Sequence, residues 1–312
     1  MSEYPDIPGP SVDSDPVLAQ LLEQLQARHH NAICCTLLYG SCLRSGDIYD
    51  GLLDLYLICD NYTAAYGRSF MATANWLLPP NVFYAETTLE GRTLRSKVTM
   101  ISLRDFRRGC TKAWFQSYIW GRFSQPTRLL YCRDAKTRGE IKNALSQAAR
   151  TFLENAAPAV PESGSVTALW EHALGLSYAT ELRTERKGRA TELVTSATDF
   201  YCAMTRNHAD SLDFSFAVYD AGGELHYRSQ MSNIRRHWGT WAWALRRGQG
   251  KLLSILRLIK ALFTFEGGLD YIAWKLERHS GEEIIIPEKV RRAPLIFLWG
   301  FSWDLYRRGI FK

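Results

Sequence analysis

No apolar run among the 312 residues approaches the roughly 18–20 needed to cross a bilayer. The stretch 252–265 is interrupted by Arg257 and Lys260, and 295–303 is too short, so the chain is expected to lie on a membrane and not to span one. Residues 1–17 hold no basic region and no apolar stretch, which fits neither a signal peptide nor an Arg-rich transit peptide. Cysteine is sparse and unpatterned: seven residues, an odd number, with no Cys-x-x-Cys spacing. That argues against a disulfide framework and a zinc knuckle, and Cys34-Cys35, set in an apolar run, fits two small core residues in a reducing compartment. His29-His30 and His279 belong to no metal-binding spacing. There is no internal repeat and no low-complexity tract.

What is present is globular in character, with 46% apolar and 22% charged residues and enough length for two domains. The net charge of +6 is modest, but its placement is uneven. Residues 231–260 carry seven basic side chains, no acidic one, and Trp238, Trp241 and Trp243. Such a basic, aromatic stretch suits nucleic-acid phosphates and anionic lipid headgroups equally.

The order of elements predicts an α/β protein. After a disordered lead over 1–16, Asp15 caps a helix over 16–29 with Leu18, Leu21, Leu22 and Leu25 on one side. Ile33–Tyr39 is an apolar strand ended by Gly40, and the polar loop 41–51 carries Asp47 and Asp50. A second strand, 52–59, contains one charge, Asp54. A helix over 69–77 stops at Pro79-Pro80, and strands over 82–87 and 93–101 flank a Glu90-Gly91 turn. Ser102 caps a helix running from Leu103 toward Phe115, and another reaches Gly121. These make a domain with a mixed sheet over 17–155. A linker at 156–164 leads to a mainly helical, winged-helix-like domain over 165–250, with a hairpin at 214–228 turning at 220–223. Residues 251–312 form a basic, aromatic, amphipathic tail.

The chemistry concentrates at Tyr39-Gly40-Ser41 and Asp54. Gly40 permits a tight turn after the first strand, and the backbone N–H groups from Ser41 onward can face a triphosphate. The next strand returns beside the first and can hold Asp54 near those phosphates. A lone carboxylate in an apolar strand is costly unless paired or metal-bound, and Mg²⁺ bridging Asp54 and nucleotide phosphates satisfies it. The alternative is an Asp at a strand end, solvated or salt-bridged.

A Gly-Ser turn, a spacer of about a dozen residues and an apolar–Asp–apolar strand resemble the DNA polymerase β-like nucleotidyltransferase superfamily. Tyr39-Gly40-Ser41, Leu53-Asp54-Leu55, Asn81-Val82-Phe83-Tyr84, Ser96-Lys97-Val98 and the run from Tyr118 to Pro126 narrow the likeness. Their order and spacing are similar to those of the mitochondrial translocator assembly and maintenance proteins, peripheral phosphatidate cytidylyltransferases with bacterial relatives. Ser177-Tyr178 through Arg183 also resembles a family motif, and the likeness covers about residues 38–185. The chain departs from the pattern at three places. The superfamily's Asp-x-Asp is Asp54-Leu55-Tyr56, Cys42 replaces a family Gly, and Gln125 replaces a family Lys.

The resemblance implies transfer of CMP from CTP to phosphatidate, giving CDP-diacylglycerol and pyrophosphate. It assigns Tyr39, Gly40 and Ser41 to the nucleotide, Asp54 to Mg²⁺, Lys97 to charge neutralisation, and Arg122 and Arg183 to substrate phosphates. Asp47, Asp50 and Glu86 are candidates for a second metal ligand. The attacking phosphate monoester has a second pKa near about 6, so no general base is required. The expected partners are CTP, phosphatidate and an anionic lipid surface, without nucleic acid, and with a homodimer left open. The expected location is cytoplasmic, peripheral on the inner face of the cell membrane. Within the tail, 295–311 fits membrane contact, whereas 251–265 more simply fits a helix burying Leu252, Ile255, Leu256, Ile259 and Phe263 in the core. Two competing readings are a nucleotidyltransferase acting on RNA, a small molecule or a protein, and a non-catalytic membrane adaptor on the same fold.

Overall fold

The computed structural model describes residues 4–182, 188–264 and 284–292, together with Glu277, Phe297, Gly300, Trp303 and Arg307. In chain order the elements begin α1 (Pro16–Arg28), β1 (Ile33–Tyr39), α2 (Ser41–Ser45), β2 (Leu53–Cys59), α3 (Tyr62–Tyr66) and α4 (Phe70–Leu77). There follow β3 (Asn81–Leu89), β4 (Arg92–Ser102), α5 (Leu103–Gly109), α6 (Trp120–Phe123), β5 (Arg128–Cys132) and α7 (Ala135–Ala156). After a 3-10 turn at Ala157–Ala159 come β6 (Ser163–Ser165), α8 (Val166–Tyr178), α9 (Arg189–Thr195), α10 (Thr198–Ala209), β7 (Ser215–Ala221), β8 (Glu224–Gln230), α11 (Asn233–Thr264) and α12 (Glu288–Arg292). Asp15 caps α1 and Ser102 caps α5, each accepting from backbone N–H groups. The helix expected to run from Leu103 toward Phe115 stops at Gly109, where a Cβ would lie 2.9 Å from Ile119.

Five strands form one mixed sheet in the order β3-β4-β2-β1-β5, in which β2 and β4 run parallel and the other neighbours antiparallel. Alternation along β2 sends Leu53, Leu55, Leu57 and Cys59 into the layer shared with α1, and Tyr56 and Ile58 into the opposite layer. Asp54 therefore belongs to the Tyr56 face, at the end of the strand.

Two sequence-based boundaries do not hold. One cluster of buried side chains runs from Cys35 and Tyr56 through Phe152 and Trp170 to Tyr201, Tyr227 and Trp243, so the two halves share a core. Within the expected linker, Ala157 and Pro158 are buried, and 163–165 joins β7 and β8 in a three-stranded antiparallel sheet. The expected disordered lead is also docked from residue 4 onward. Tyr4 is 1% exposed, and its hydroxyl accepts from the Thr127 N–H at 2.9 Å. Arg128 donates to the carbonyls of Ile7 and Pro10, and Lys142 pairs with Asp6 at 3.0 Å. A buried aromatic with a satisfied hydroxyl is enough to anchor a Pro-rich strap whose own composition favours disorder.

The 32-residue helix α11 packs with its polar side inward. Trp243 donates Nε1–H to the Asn155 carbonyl at 2.9 Å, and Arg246 donates to the Phe115 carbonyl at 2.8 Å. Further along, Arg257 reaches the Pro79 carbonyl at 3.2 Å, while Lys260 reaches those of Leu78 and Pro80 at 2.6 and 2.7 Å. Two glycines allow this close approach: a Cβ at Gly239 would lie 2.4 Å from the Pro158 ring, and one at Gly250 would lie 2.4 Å from the Thr180 carbonyl. The apolar stripe faces out, with Trp238, Trp241, Leu252, Ile255, Leu256, Ile259 and Phe263 all exposed. That reverses the expectation of a core-facing stripe over 251–265. The reason is that the basic side chains find backbone carbonyls to donate to at the end of α4 and before α6.

Candidate active site

β1, β2 and β4 bring three predicted residues into one row across the sheet, because Tyr39 is paired with Asp54 and Asp54 with Lys97. All three share the Tyr56 face, and they lie where the covering layer ends and a cleft of about 580 Å³ opens. Lys97 Nζ stands 4.0 Å from Asp54 Oδ1, with the two side chains 40% and 28% exposed. Burial raises the pKa of Asp54, and Lys97, Arg122 and Arg44 pull against it. An ionised Asp54 is thus held by surrounding cations at a cost in desolvation, a condition that a bound cation relieves.

Gly40 is required on two counts. Its φ is +89°, and a Cβ there would lie 2.6 Å from Asp54 Oδ2. The turn therefore lies against the carboxylate, as the sequence implies. Ser41 is exposed and does not line the cleft, while Arg44, three residues on, does. Cys42, at a family glycine, is buried with its thiol directed to the Leu52 carbonyl at 3.3 Å.

The motif around Trp120-Gly121-Arg122 meets the motif at Ser177-Tyr178. A Cβ on Gly121 would lie 2.4 Å from Ser177 Oγ, and Ser117 and Thr180 join their hydroxyls at 3.0 Å. This contact delivers Arg122 to the cleft, where it pairs with Glu181 at 3.2 Å and donates to the Tyr39 hydroxyl at 3.5 Å. Two acidic residues near it in sequence are engaged elsewhere: Asp105 accepts from Tyr62, and Asp134 caps α7. Burial works against the charge on Arg122, but Tyr39, Tyr118 and Glu181 outweigh it and raise its pKa. Gln125, where the family has lysine, also lines the cleft, holding Gly121 through its amide and accepting from Tyr178 at 3.3 Å.

The three proposed second metal ligands are not brought into the cleft. Asp47 is exposed and accepts from the backbone of Tyr49 and Asp50, and Asp50 is exposed on the same loop. Glu86 lies on β3, where it accepts from Tyr84 at 2.6 Å and faces Arg95. An Asx turn claims Asp47, and strand neighbours claim Glu86. Among the described residues no group of three or more His, Cys, Asp or Glu could hold a metal. Three carboxylates line the cleft, and two of them are paired with arginines, Glu181 with Arg122 and Glu192 with Arg189 at 3.5 Å. That leaves Asp54 for Mg²⁺, and the ion's habit of binding through one or two carboxylates plus substrate phosphates fits that arrangement. Arg183 lies outside the described residues.

Three cleft cations were not singled out for the site by sequence reasoning. Arg44 had a signal, since it follows the Gly-Ser turn by one helical turn. Arg189 and Arg257 had none, because only the packing of α9 and α11 carries them there. The basic Trp-rich window is itself divided: Trp243 and Arg246 are buried in the helix–core contact, while Trp238 and Trp241 face outward.

No helix among the described residues is long and apolar enough to cross a membrane. No family model matches the chain, and no curated protein does. Among solved structures, a nucleotidyltransferase-like protein from Exiguobacterium sibiricum 255-15 is similar at 8% identity, over 94% of this chain and 92% of that one, with a TM-score of 0.27. A likeness of that size carries no argument about activity.

Proposed function

We propose that this protein is a nucleotidyltransferase that transfers CMP from CTP to phosphatidate at a membrane surface, releasing pyrophosphate and forming CDP-diacylglycerol. The observation that carries the reading is the row Tyr39–Asp54–Lys97 set against the Gly40 turn, at the mouth of a cleft with more cations than carboxylates. The motifs quoted above supply the choice of cytidine and of phosphatidate.

In this reading the triphosphate lies along Gly40 and Arg44, over Asp54. Asp54 would hold Mg²⁺, which supplies neutralisation of the charge on the phosphates. An oxygen of the phosphatidate phosphate attacks the α-phosphorus of CTP, a new P–O bond forms, and the bond to the β-phosphate oxygen breaks with pyrophosphate leaving. The attacking oxygen is already ionised at neutral pH, so the protein need only position and neutralise. Lys97 and Arg122 serve that purpose, Arg122 with a planar fork suited to two phosphate oxygens.

The outward stripe of α11 supports the membrane part. Residues 231–264 contain no carboxylate, so the exposed Trp238, Trp241, Ile259 and Phe263 are accompanied by Arg247 and Lys251 only. The neighbouring helix α4 exposes Phe70, Trp76 and Leu77 as well. An apolar strip flanked by cations is suited to an anionic bilayer.

The test is incubation of the purified protein with Mg²⁺ and α-labelled CTP, over phosphatidate-containing vesicles or over an RNA oligonucleotide. Labelled lipid from the vesicles, absent in Asp54→Asn, is the expected result. Label in RNA, or none in either, overturns the reading.

A further inference from the structure

Resting on that reading, we infer that the cleft holds two distinct anion subsites, and that Arg257 of α11, acting with Arg122, takes the phosphate of the acceptor while Arg44 and Arg189 take those of the nucleotide.

The cleft cations fall into two groups with different surroundings. Arg44, on the turn beside Gly40, is within electrostatic reach of Arg189, Tyr178, Tyr201 and Asp54. Arg257 belongs to the other group. Its guanidinium lies 4.2 Å from the centre of the Tyr118 ring, and that of Arg122 lies 4.7 Å from the same ring. One aromatic thus carries two guanidinium groups, a stacking that holds both forks in fixed orientation at little entropic cost. Arg122 links the two groups, since it shares the Tyr118 ring with Arg257 and also donates to the hydroxyl of Tyr39, the strand partner of Asp54.

Arg257 is also short of a counter-charge. Its Nε donates to the Pro79 carbonyl and one Nη to Gln116 Oε1 at 2.8 Å, and among the described residues no carboxylate pairs with it. Glu181, the nearby acid, is engaged with Arg122. A largely enclosed guanidinium without an anion is costly, and a phosphate entering the cleft supplies one with bidentate geometry. Ser254, one helical turn before Arg257, lines the cleft with it.

The placement also fits the chemistry of an amphiphile. On this stretch of helix Arg257 points inward while Ile255, Leu256 and Ile259 are exposed. A helix is about 10 Å across, so a phosphate on Arg257 lies one helix width from the apolar surface. A nucleotide gains nothing from that proximity, whereas a phosphate attached to acyl chains does.

The experiment is equilibrium titration of the full-length protein with CTP and, separately, with soluble dihexanoyl phosphatidate, followed by steady-state kinetics. Arg257→Gln is expected to weaken phosphatidate binding by about tenfold or more and raise its KM in step, with CTP binding within about twofold. Arg44→Gln is expected to show the converse, and Arg257→Lys an intermediate loss because the charge stays but the fork is gone. A thermal melt of each variant separates a binding loss from unfolding. Equal weakening of both ligands by Arg257→Gln, or unchanged phosphatidate binding, overturns the partition even if the wild type makes CDP-diacylglycerol. If the wild type makes no product yet the titrations split as expected, the two subsites stand and the proposed reaction falls. If neither ligand binds the wild type, both fall.

Discussion

On the strand side of the cleft, Asp54 and Lys97 are fixed by neighbouring backbones of β2 and β4, and Gly40 is set by the turn that joins β1 to α2. On the helix side, Arg257 is carried by α11, which is attached to the body through side chains that donate to isolated carbonyls. The first wall owes its geometry to a ladder in which every residue supports the next. The second owes it to a handful of long-range contacts, each removable alone. Chemistry that demands fixed distances suits the first, and recognition of a variable acceptor suits the second.

The sharpest way to break this comparison is Asp54→Asn. Lipid labelling is expected to fall by about a thousandfold, because on the proposed reading Mg²⁺ would lose its protein anchor. The melting temperature is expected to rise. Asp54 has its pKa raised by burial, so its ionised form opposes folding above the unfolded-state value, and removing the charge relieves that cost. A lower melting temperature would mean that Asp54 is structural.

Gly40→Ala comes next. Positive φ and the approach to Asp54 predict a stability loss of about 2 kcal/mol by denaturant titration and an activity loss of about a hundredfold. On the helix side, Gly250→Val forces α11 away from Thr180 and is expected to cost about 1–3 kcal/mol. Its kinetic effect should fall on the KM for phosphatidate, leaving that for CTP close to the wild-type value.

The smallest expected effect tests attachment itself. Burial lowers the pKa of Lys260 to about 7. A lysine with a depressed folded-state pKa makes docking stronger as pH rises from about 7 toward its unfolded value and weaker, at a constant level, below 7. Hydrogen exchange in α11 should therefore slow, relative to β1 and β2, between pH 7 and 9 after correction for intrinsic rates. Lys260→Met should flatten that difference, and a slope unchanged in the variant would assign it to another group.

The strand wall was legible in the sequence because its signals are local. A glycine after an apolar strand, a single carboxylate in the next strand and a two-residue period are enough to place Tyr39 and Asp54 together. Lys97 followed from its motif, and register explains it. The helix wall was not legible, since an amphipathic pattern reveals two faces without revealing which is inside. Arg246, Arg257 and Lys260 look like a solvated face until the carbonyls of Phe115, Leu78, Pro79 and Pro80 are known to lie opposite. Pro158 and Gly164 misled in the same manner: both suggest a linker, yet Pro158 is the surface on which Gly239 rests. Asp47, Asp50 and Glu86 were reasonable by proximity in sequence, but Asp47 is spent on a local turn, Glu86 on strand neighbours, and Asp50 is exposed outside the cleft.

α4, which packs against α11, exposes Phe70, Trp76 and Leu77 as well, and the second element changes what a surface can do. A rod resting on a flat support can roll about its long axis, presenting any side upward. A foot placed off that axis stops the roll. On the proposed reading, with α4 as the foot, the molecule would have one resting attitude on a lipid sheet, and the opening beside Tyr118 would meet that sheet at the same height and bearing on every landing.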